Sequence, residues 1–280
     1  MVAVRARRLF GAPPIYQWLR TRGIGLSPVA RGNFRGEWVR PKNRGEGVIL
    51  YLHGGGYVSC SAAKYRPVTA VLARLARMRV FSLDYRLAPE NRFPAALDDA
   101  VAAYRWLLEQ GVPARAISLA GDSAGGGLVL GLLLRARDAG LPLPACAVCF
   151  SAWTDLTGTA GSVRSNDGRC AMFRTGNITE FAAVYLGASA ASDFYASPVL
   201  ADLGGLPPIH LQVGSTELLL DDSRRVHDKI REARGVSQLK IYDDVAHGWQ
   251  MLYGLVPEAT DSLQQASNFI RQYAAIETER

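Results

Sequence analysis

Residues 117–127 read ISLAGDSAGGG, an apolar run that ends in small residues around one serine. The apolar run predicts a buried strand, and the Ala- and Leu-rich stretch at 124–139 predicts a helix, so Ser123 stands where a strand turns into a helix. Residues 121–125 match the pattern GxSxG, which indicates an exposed nucleophile in that strand-to-helix context. Such a turn lifts the serine hydroxyl above a sheet and directs the helix N-terminus toward negative charge that develops there.

The rest of the chain alternates between short apolar runs and stretches of helical period. Alternation of this kind predicts a mostly parallel sheet with helices on both faces. The interval 151–206 is too long for a simple crossover, and long insertions in α/β enzymes are commonly lids or binding loops. Strands are predicted at 47–53, 80–85, 116–119, 145–150, 209–213 and 238–242, and helices at 65–77, 93–110, 124–139, 222–234 and 258–274.

Composition excludes several classes of protein. The chain has 280 residues, of which 49% are hydrophobic, which is enough for one large domain with an appendage. Charged residues, glycine or proline interrupt every apolar run, so no segment of about 18 residues can span a membrane. Near the N-terminus Pro13, Pro14 and Gln17 interrupt what could be a signal peptide. We therefore expect a soluble, cytoplasmic protein.

The formal charge of +7 is concentrated near the N-terminus, because residues 1–44 hold nine arginines and one lysine but a single acid. No nucleic-acid motif accompanies this basic segment, so we interpret it as a solvated face and expect neither a nucleic-acid nor a membrane partner. Four cysteines and four histidines occur without metal-ligand spacing. The sequence therefore predicts no metal site and no cofactor.

Two further loops complete a candidate catalytic site. Residues 53–57 read HGGGY after an apolar strand, and a glycine run there lets successive backbone N–H groups line one concavity as donors for an oxyanion. His247 lies between the last predicted strand and the last predicted helix, where it can act as the base for Ser123. The supporting acid belongs on the loop after the strand at 209–213, for which Glu217 is the first candidate and Asp221 the second.

Taken together, these segments resemble the hormone-sensitive-lipase-like microbial carboxylesterases of the α/β-hydrolase superfamily. The resemblance covers residues 37–274 and predicts an α/β-hydrolase fold with a helical cap. The blocks that carry it are HGGGYVSCS (53–61), DYRLAPENRFPAALDD (84–99), LAGDSAGGGL (119–128), SAWTDLT (151–157), YASPVLADLGGLPP (195–208) and VAHGW (245–249).

The resemblance also implies roles for individual residues. Ser123 is expected to be the nucleophile and His247 the base, with Gly54, Gly55 and Ala124 as oxyanion-hole donors. This sequence departs from the usual family pattern at the acid, because ELL with Glu217 replaces a motif that begins with Asp. Aromatic residues expected to line the substrate pocket, or to pack between cap and core, are Tyr57, Trp153, Phe173 and Tyr195. Tyr85, Arg86 and Glu90 are expected to brace the glycine loop that supplies the oxyanion donors.

At the level of domains, the resemblance implies an N-terminal cap segment at 1–36. A catalytic domain then follows at 37–280, with a cap insertion at about 151–206.

Homodimerisation through the last strand, at the sheet edge, is a further expectation.

The predicted activity is that of a serine carboxylesterase that hydrolyses short-chain acyl esters through a Ser-His-Glu triad and an acyl-enzyme intermediate. An amidase or peptidase with the same triad is one alternative. A non-catalytic, receptor-like ligand-binding protein is another, although the presence of His247 weighs against it.

Overall fold

The computed structural model describes residues 14–32, 34–43 and 45–274, and the strands in this part of the chain form one twisted sheet. Its order is β1-β2-β4-β3-β5-β6-β7-β8. β2 pairs antiparallel with both β1 and β4, whereas every later neighbouring pair is parallel. The strands are β1 (Ile24–Arg31), β2 (Phe34–Pro41), β3 (Val48–Leu52), β4 (Arg79–Asp84), β5 (Ile117–Asp122), β6 (Cys146–Phe150), β7 (Ile209–Gly214) and β8 (Ser237–Tyr242).

Helices cover both faces of this sheet, as predicted from the alternation. In β3, Leu50 and Leu52 face one buried cluster and Ile49 and Tyr51 face the other, because successive side chains of a strand point to opposite faces. The first cluster includes α3, α4 and α7, and the second includes α2 and α8. The helices are α1 (Pro14–Thr21), α2 (Ala62–Ala76), α3 (Ala95–Glu109), α4 (Ala124–Asp138), α5 (Gly161–Ser165), α6 (Thr175–Leu186), α7 (Leu220–Glu232) and α8 (Pro257–Tyr273).

The N-terminal cap segment predicted at 1–36 requires a correction. Ile24–Arg31 and the beginning of β2 lie in the central sheet, so the predicted boundary at residue 36 falls inside a strand. Sequence reasoning missed β1 because Gly25 and Pro28 interrupt it and only three of its eight residues are even partly buried, which is common in an edge strand. Within this segment α1 packs against α2, and residues 1–13 lie outside the described part of the chain.

The insertion at 151–206 contains α5, α6 and a short 3₁₀ helix at Pro198–Leu200. Buried residues of α6, including Phe181 and Tyr185, belong to the same hydrophobic cluster as Leu50 of the sheet. The insertion therefore packs directly over one part of the core, at the edge where the parallel strands end. Across the described helices, none combines the length and apolarity that crossing a membrane requires.

Candidate active site

The turn between β5 and α4 places Ser123 in a strained conformation, with φ 53° and ψ −123°. Positive φ is uncommon for a residue with a side chain and marks functional sites when the surrounding structure enforces it. Here the Ser123 N–H donates to Phe150 O at 2.8 Å, and Ser123 O accepts the Trp153 N–H at 2.9 Å. The last residue of β6 and the loop after it therefore hold both sides of the turn.

The two glycines of the GxSxG pattern have a steric cause. A Cβ on Gly125 would lie 2.0 Å from Leu52 O, and a Cβ on Gly121 would lie 2.5 Å from Gly125 O. Neither obstacle is a flexible side chain, so the start of α4 can approach β3 this closely only with glycine at both positions. The serine hydroxyl is thus brought to the carboxyl edge of the sheet by backbone packing.

The glycine loop of residues 54–56, called the oxyanion loop below, corrects one predicted role. The Gly54 N–H donates to Asp122 Oδ1 at 2.9 Å and is therefore not available to an oxyanion. Within the part of the chain that the structure describes, no acceptor pairs with the N–H groups of Gly55, Gly56 or Ala124. The N–H groups left without an acceptor are thus those of Gly55, Gly56 and Ala124, whereas that of Gly54, which was also predicted as a donor, is engaged.

Glu217 and His247 form a buried pair after β7 and β8. His247 Nδ1 lies 2.5 Å from Glu217 Oε2. The other carboxylate oxygen, Oε1, accepts the Ser151 hydroxyl at 2.6 Å and the Gly214 N–H at 2.7 Å. Both oxygens are therefore engaged, which fixes the plane of the carboxylate and with it the orientation of the imidazole. Ser151 was not anticipated from the sequence.

The charges around His247 favour its protonated form. Burial alone lowers the pKa of His247, but the nearby carboxylates of Glu217 and Asp122 raise it, and the net pKa lies above the ordinary histidine value. Burial raises the pKa of Asp122 to about 6, against the effect of its hydrogen bonds with Tyr65 and Tyr51. The negative charges of Glu217 and Asp122 thus favour the protonated imidazole.

The alternative acid, Asp221, serves another purpose. Its Oδ2 accepts the Ser162 N–H at 2.7 Å, and its Oδ1 forms an ion pair with Arg224 at 3.2 Å. The adjacent Asp222 accepts the N–H groups of Thr154 at 2.6 Å and Asp155 at 2.9 Å. Both side chains therefore tie α7 to the long insertion, and the geometry brings Glu217, rather than Asp221, to His247.

Three of the four predicted pocket residues lie around this site. The Phe173 ring meets the His247 ring edge-on, with centroids 5.0 Å apart. The Tyr57 ring stacks on Tyr185 with centroids 3.8 Å apart, and the Trp153 ring centroid lies 6.0 Å from that of Tyr57. Tyr57 and Trp153 are both buried, so they pack between the insertion and the core as well as bordering the site.

The fourth predicted pocket residue, Tyr195, is elsewhere. Its hydroxyl donates to Asp138 at 2.9 Å and its ring lies beside Arg135, at the end of α4 away from Ser123. A residue that sequence reasoning did not single out takes its place. Phe181 meets Phe173 edge-on at 6.3 Å, and a Cβ on Gly56 would lie only 3.2 Å from its ring. The sequence signal that could have identified Phe181 is the position of an aromatic residue in the helical part of the long insertion.

The expected bracing of the oxyanion loop is visible for Tyr85. Its hydroxyl donates to His53 O at 2.7 Å, and its ring stacks on the His53 ring at 4.2 Å. Arg86 instead pairs with Asp99 at 2.8 Å and so fixes the segment after β4 to α3. Among the described residues, no cluster of three or more His, Cys, Asp or Glu side chains could hold a metal ion.

Comparison with known proteins identifies the family of this chain. A model of the alpha/beta hydrolase fold family matches residues 49–251. An acetyl-hydrolase of Streptomyces hygroscopicus is 40% identical over 251 residues, covering 89% of this chain and 84% of that protein. An esterase of Acinetobacter venetianus is 33% identical over 247 residues, covering 88% of this chain and 82% of that protein.

Solved structures are similar over almost the whole chain. A crystal structure of an esterase from the bacterial hormone-sensitive lipase family has a TM-score of 0.89 at 37% identity, covering 98% of this chain and 96% of that one. The crystal structure of EstE5 soaked with p-nitrophenyl butyrate has a TM-score of 0.87 at 39% identity, covering 98% and 97%. This chain therefore belongs to the α/β-hydrolase fold family, in the hormone-sensitive-lipase group of bacterial esterases.

Proposed function

We propose that this protein is a serine carboxylesterase that hydrolyses short-chain acyl esters, with Ser123 as nucleophile, His247 as base and Glu217 as supporting acid. The observation that carries the proposal is the buried Glu217–His247 pair at the same sheet edge as the strained Ser123 turn. These three residues follow β7, β8 and β5, and the carboxyl ends of parallel strands meet at one edge.

In the first half of the reaction His247 takes the proton of the Ser123 hydroxyl, and the oxygen attacks the carbonyl carbon of the ester. The resulting tetrahedral oxyanion is stabilised by the N–H groups of Gly55, Gly56 and Ala124. His247 then gives its proton to the departing alcohol, which leaves an acyl-enzyme. In the second half a water molecule, deprotonated by His247, attacks the acyl group and releases the acid and the free serine.

The acid assignment rests on contacts that a structural carboxylate does not need. Glu217 accepts hydrogen bonds from Ser151 and Gly214 through one oxygen and faces His247 Nδ1 with the other. A carboxylate held in this way keeps the proton of the neutral imidazole on Nδ1, so that the opposite nitrogen remains a base. Separately, loss of one backbone N–H that donates to the oxyanion typically lowers kcat by about 100- to 1,000-fold.

The preference for short acyl chains is supported by the aromatic residues around the site. Phe173, Phe181 and Tyr185 come from the insertion, and the ring of Tyr185 stacks on Tyr57 so that both of these rings are buried. Rigid aromatic walls restrict the length of chain that can be accommodated. One similar protein is an acetyl-hydrolase, and another was soaked with a butyrate ester, in keeping with small acyl groups.

The test compares hydrolysis of p-nitrophenyl acetate, butyrate and decanoate with that of a matched p-nitroanilide, using the parent protein and Ser123→Ala. We expect acetate and butyrate to be cleaved faster than decanoate, the anilide to be cleaved slowly, and Ser123→Ala to be inactive. Faster cleavage of the anilide would support an amidase instead. No hydrolysis, together with no labelling by a serine-directed phosphonate, would support a non-catalytic ligand-binding protein.

We also propose that the protein forms a homodimer through β8. β8 is one outer strand of the described sheet, and an outer strand presents backbone groups that can pair with a second copy. Size-exclusion chromatography with light scattering measures this directly, and the mass of a single chain at micromolar concentration would contradict it.

A further inference from the structure

Asp122, the residue before Ser123, is a buried carboxylate whose two oxygens are engaged by three different elements. Oδ1 accepts the Tyr51 hydroxyl at 2.8 Å and the Gly54 N–H at 2.9 Å, and Oδ2 accepts the Tyr65 hydroxyl at 2.6 Å. Tyr51 belongs to β3, Tyr65 to α2, and Gly54 begins the oxyanion loop. One side chain thus connects the nucleophile turn to the loop that carries two of the proposed oxyanion donors.

We propose that Asp122 is a positioning residue that holds the oxyanion loop in register with Ser123. The effect of this role on catalysis rests on the proposed function. The hydrogen bond to Asp122 fixes the peptide plane at Gly54. Because the loop is only three glycines long, fixing its first residue limits the directions that the N–H groups of Gly55 and Gly56 can take.

The packing around Gly54 shows how tightly this connection is built. A Cβ on Gly54 would lie 2.3 Å from Asp122 Oδ2 and 2.7 Å from the Tyr65 hydroxyl oxygen. The loop therefore rests directly on the carboxylate and the phenol. On its other side, Gly55 O accepts the Ser59 hydroxyl at 2.8 Å and the Ser59 N–H at 3.1 Å. The first two residues of the glycine loop are thus both held by hydrogen bonds, although glycine itself has the greatest backbone freedom.

The donors to Asp122 are two phenols and one amide, and no lysine or arginine among the described residues forms an ion pair with it. An uncharged asparagine can keep the Oδ1 acceptor for Tyr51 and Gly54 while its amide group faces the rotatable Tyr65 hydroxyl. A leucine cannot accept any hydrogen bond. The two substitutions therefore separate the positioning contact from the mere filling of space.

Loosening the loop should affect the transition state more than substrate binding. The oxyanion carries full charge only as the tetrahedral intermediate forms, so misdirected donors lower kcat and leave KM nearly unchanged. A purely structural loss would instead reduce the amount of folded enzyme without changing the ratio of kcat to KM per active site.

The experiment measures hydrogen–deuterium exchange in the peptide that covers residues 53–58, together with kcat and KM for p-nitrophenyl butyrate per phosphonate-titrated active site. For Asp122→Leu we expect faster exchange in this peptide and a kcat lower by about 100-fold, with KM within about threefold of the parent. For Asp122→Asn we expect slow exchange and a kcat within about tenfold of the parent.

A second variant keeps the proposal testable if Asp122→Leu does not fold. Tyr51→Phe/Tyr65→Phe retains the carboxylate but removes both phenols that orient it, so exchange at 53–58 should quicken and kcat should fall at nearly constant KM. Exchange at parent rates in the folded variants, or a loss confined to KM, would overturn the positioning role.

The two proposals fail in different ways. Exchange in the oxyanion loop does not require turnover, so a parent protein that cleaves no ester would refute the esterase but still report whether Asp122 holds the loop. An active parent whose Asp122→Leu variant keeps both its exchange rate and its kcat would refute the positioning role alone.

Discussion

The chemistry of single residues depends on which hydrogen bonds each one makes. Glu217 and Asp221 are both acids on the segment after β7, yet Glu217 reaches His247 Nδ1 while Asp221 binds the Ser162 N–H and Arg224. The backbone of Gly214 and the hydroxyl of Ser151 orient Glu217 for this contact. Similar residue types a few positions apart therefore have separate roles.

Substitution of these two acids gives opposite outcomes. Glu217→Gln should lower kcat on the order of 1,000- to 10,000-fold, because an amide no longer stabilises the imidazolium and can favour the wrong tautomer. Asp221→Asn should keep kcat within about threefold, since that carboxylate does not contact His247. Steady-state kinetics with p-nitrophenyl butyrate distinguish the two, and the reverse pattern would refute Glu217 as the acid.

The pH dependence of activity follows from the raised pKa of His247. In the proposed mechanism His247 must be neutral to accept the Ser123 proton, so kcat/KM should rise as pH increases through its pKa. Because Glu217 and Asp122 raise this pKa, the midpoint of the acid limb should lie above the ordinary histidine value of about 6.5. Asp122→Asn removes one of these charges and should move the midpoint to lower pH.

Asp221→Asn is the matched control for the pH profile and should leave the midpoint in place. A parent midpoint below about 6.5, or one that Asp122→Asn does not move, would contradict this electrostatic account.

At the scale of elements, close packing of strand and helix explains why the motif needs small residues. The start of α4 comes so near to β3 that Gly125 has no room for a Cβ beside Leu52 O. At this turn Ser123 has positive φ, and the first N–H groups of α4 have no partner within the helix, as at any helix start. The strained turn thus places Ser123 next to free backbone N–H groups at the start of α4.

Two glycine substitutions test this element directly. Gly125→Ala should lower the free energy of unfolding by about 3 kcal/mol, because the new Cβ would meet backbone atoms that cannot move aside. Gly176→Ala in α6 is the control, since a Cβ there meets no atom within 4 Å, and its stability should stay within about 1 kcal/mol of the parent. Urea unfolding followed by circular dichroism gives both values, and equal midpoints would contradict the steric argument.

For the whole molecule, the insertion and the sheet share one continuous core. The first hydrophobic cluster joins Leu50 and Leu119 of the sheet to Tyr185 and Leu186 of the insertion. Because burial of apolar surface is the main source of stability, elements that share a cluster are expected to unfold together. The aromatic residues near His247 are held in place by this shared packing.

We therefore expect one unfolding transition rather than separate transitions for insertion and sheet. Leu186→Ala should lower the stability by about 2 to 5 kcal/mol and shift the midpoints of far-UV circular dichroism and tryptophan fluorescence by the same amount. Two resolved transitions, with only one moved by the substitution, would show that the insertion folds independently.

The local sequence pattern was sufficient to predict most of the strands and helices and the turn at Ser123. Apolar periodicity predicted the parallel sheet and its helices, and the strand-to-helix position of Ser123 predicted the turn, because these depend on neighbours within about ten residues. The same reasoning missed β1, because a glycine and a proline interrupt its pattern, most of its residues are exposed, and within the described sheet it pairs with β2 alone.

Contacts between distant segments were decided only by the tertiary structure. The sequence by itself determined the fold class and the residue types at the site, since these follow from hydrophobic patterning and from motif chemistry. It could not show that Asp122 occupies the Gly54 N–H, that Ser151 orients Glu217, or that Phe181 rather than Tyr195 borders the site. The physical reason is that each of these contacts joins residues at least 50 positions apart or depends on side-chain direction, both of which are set by how the layers pack.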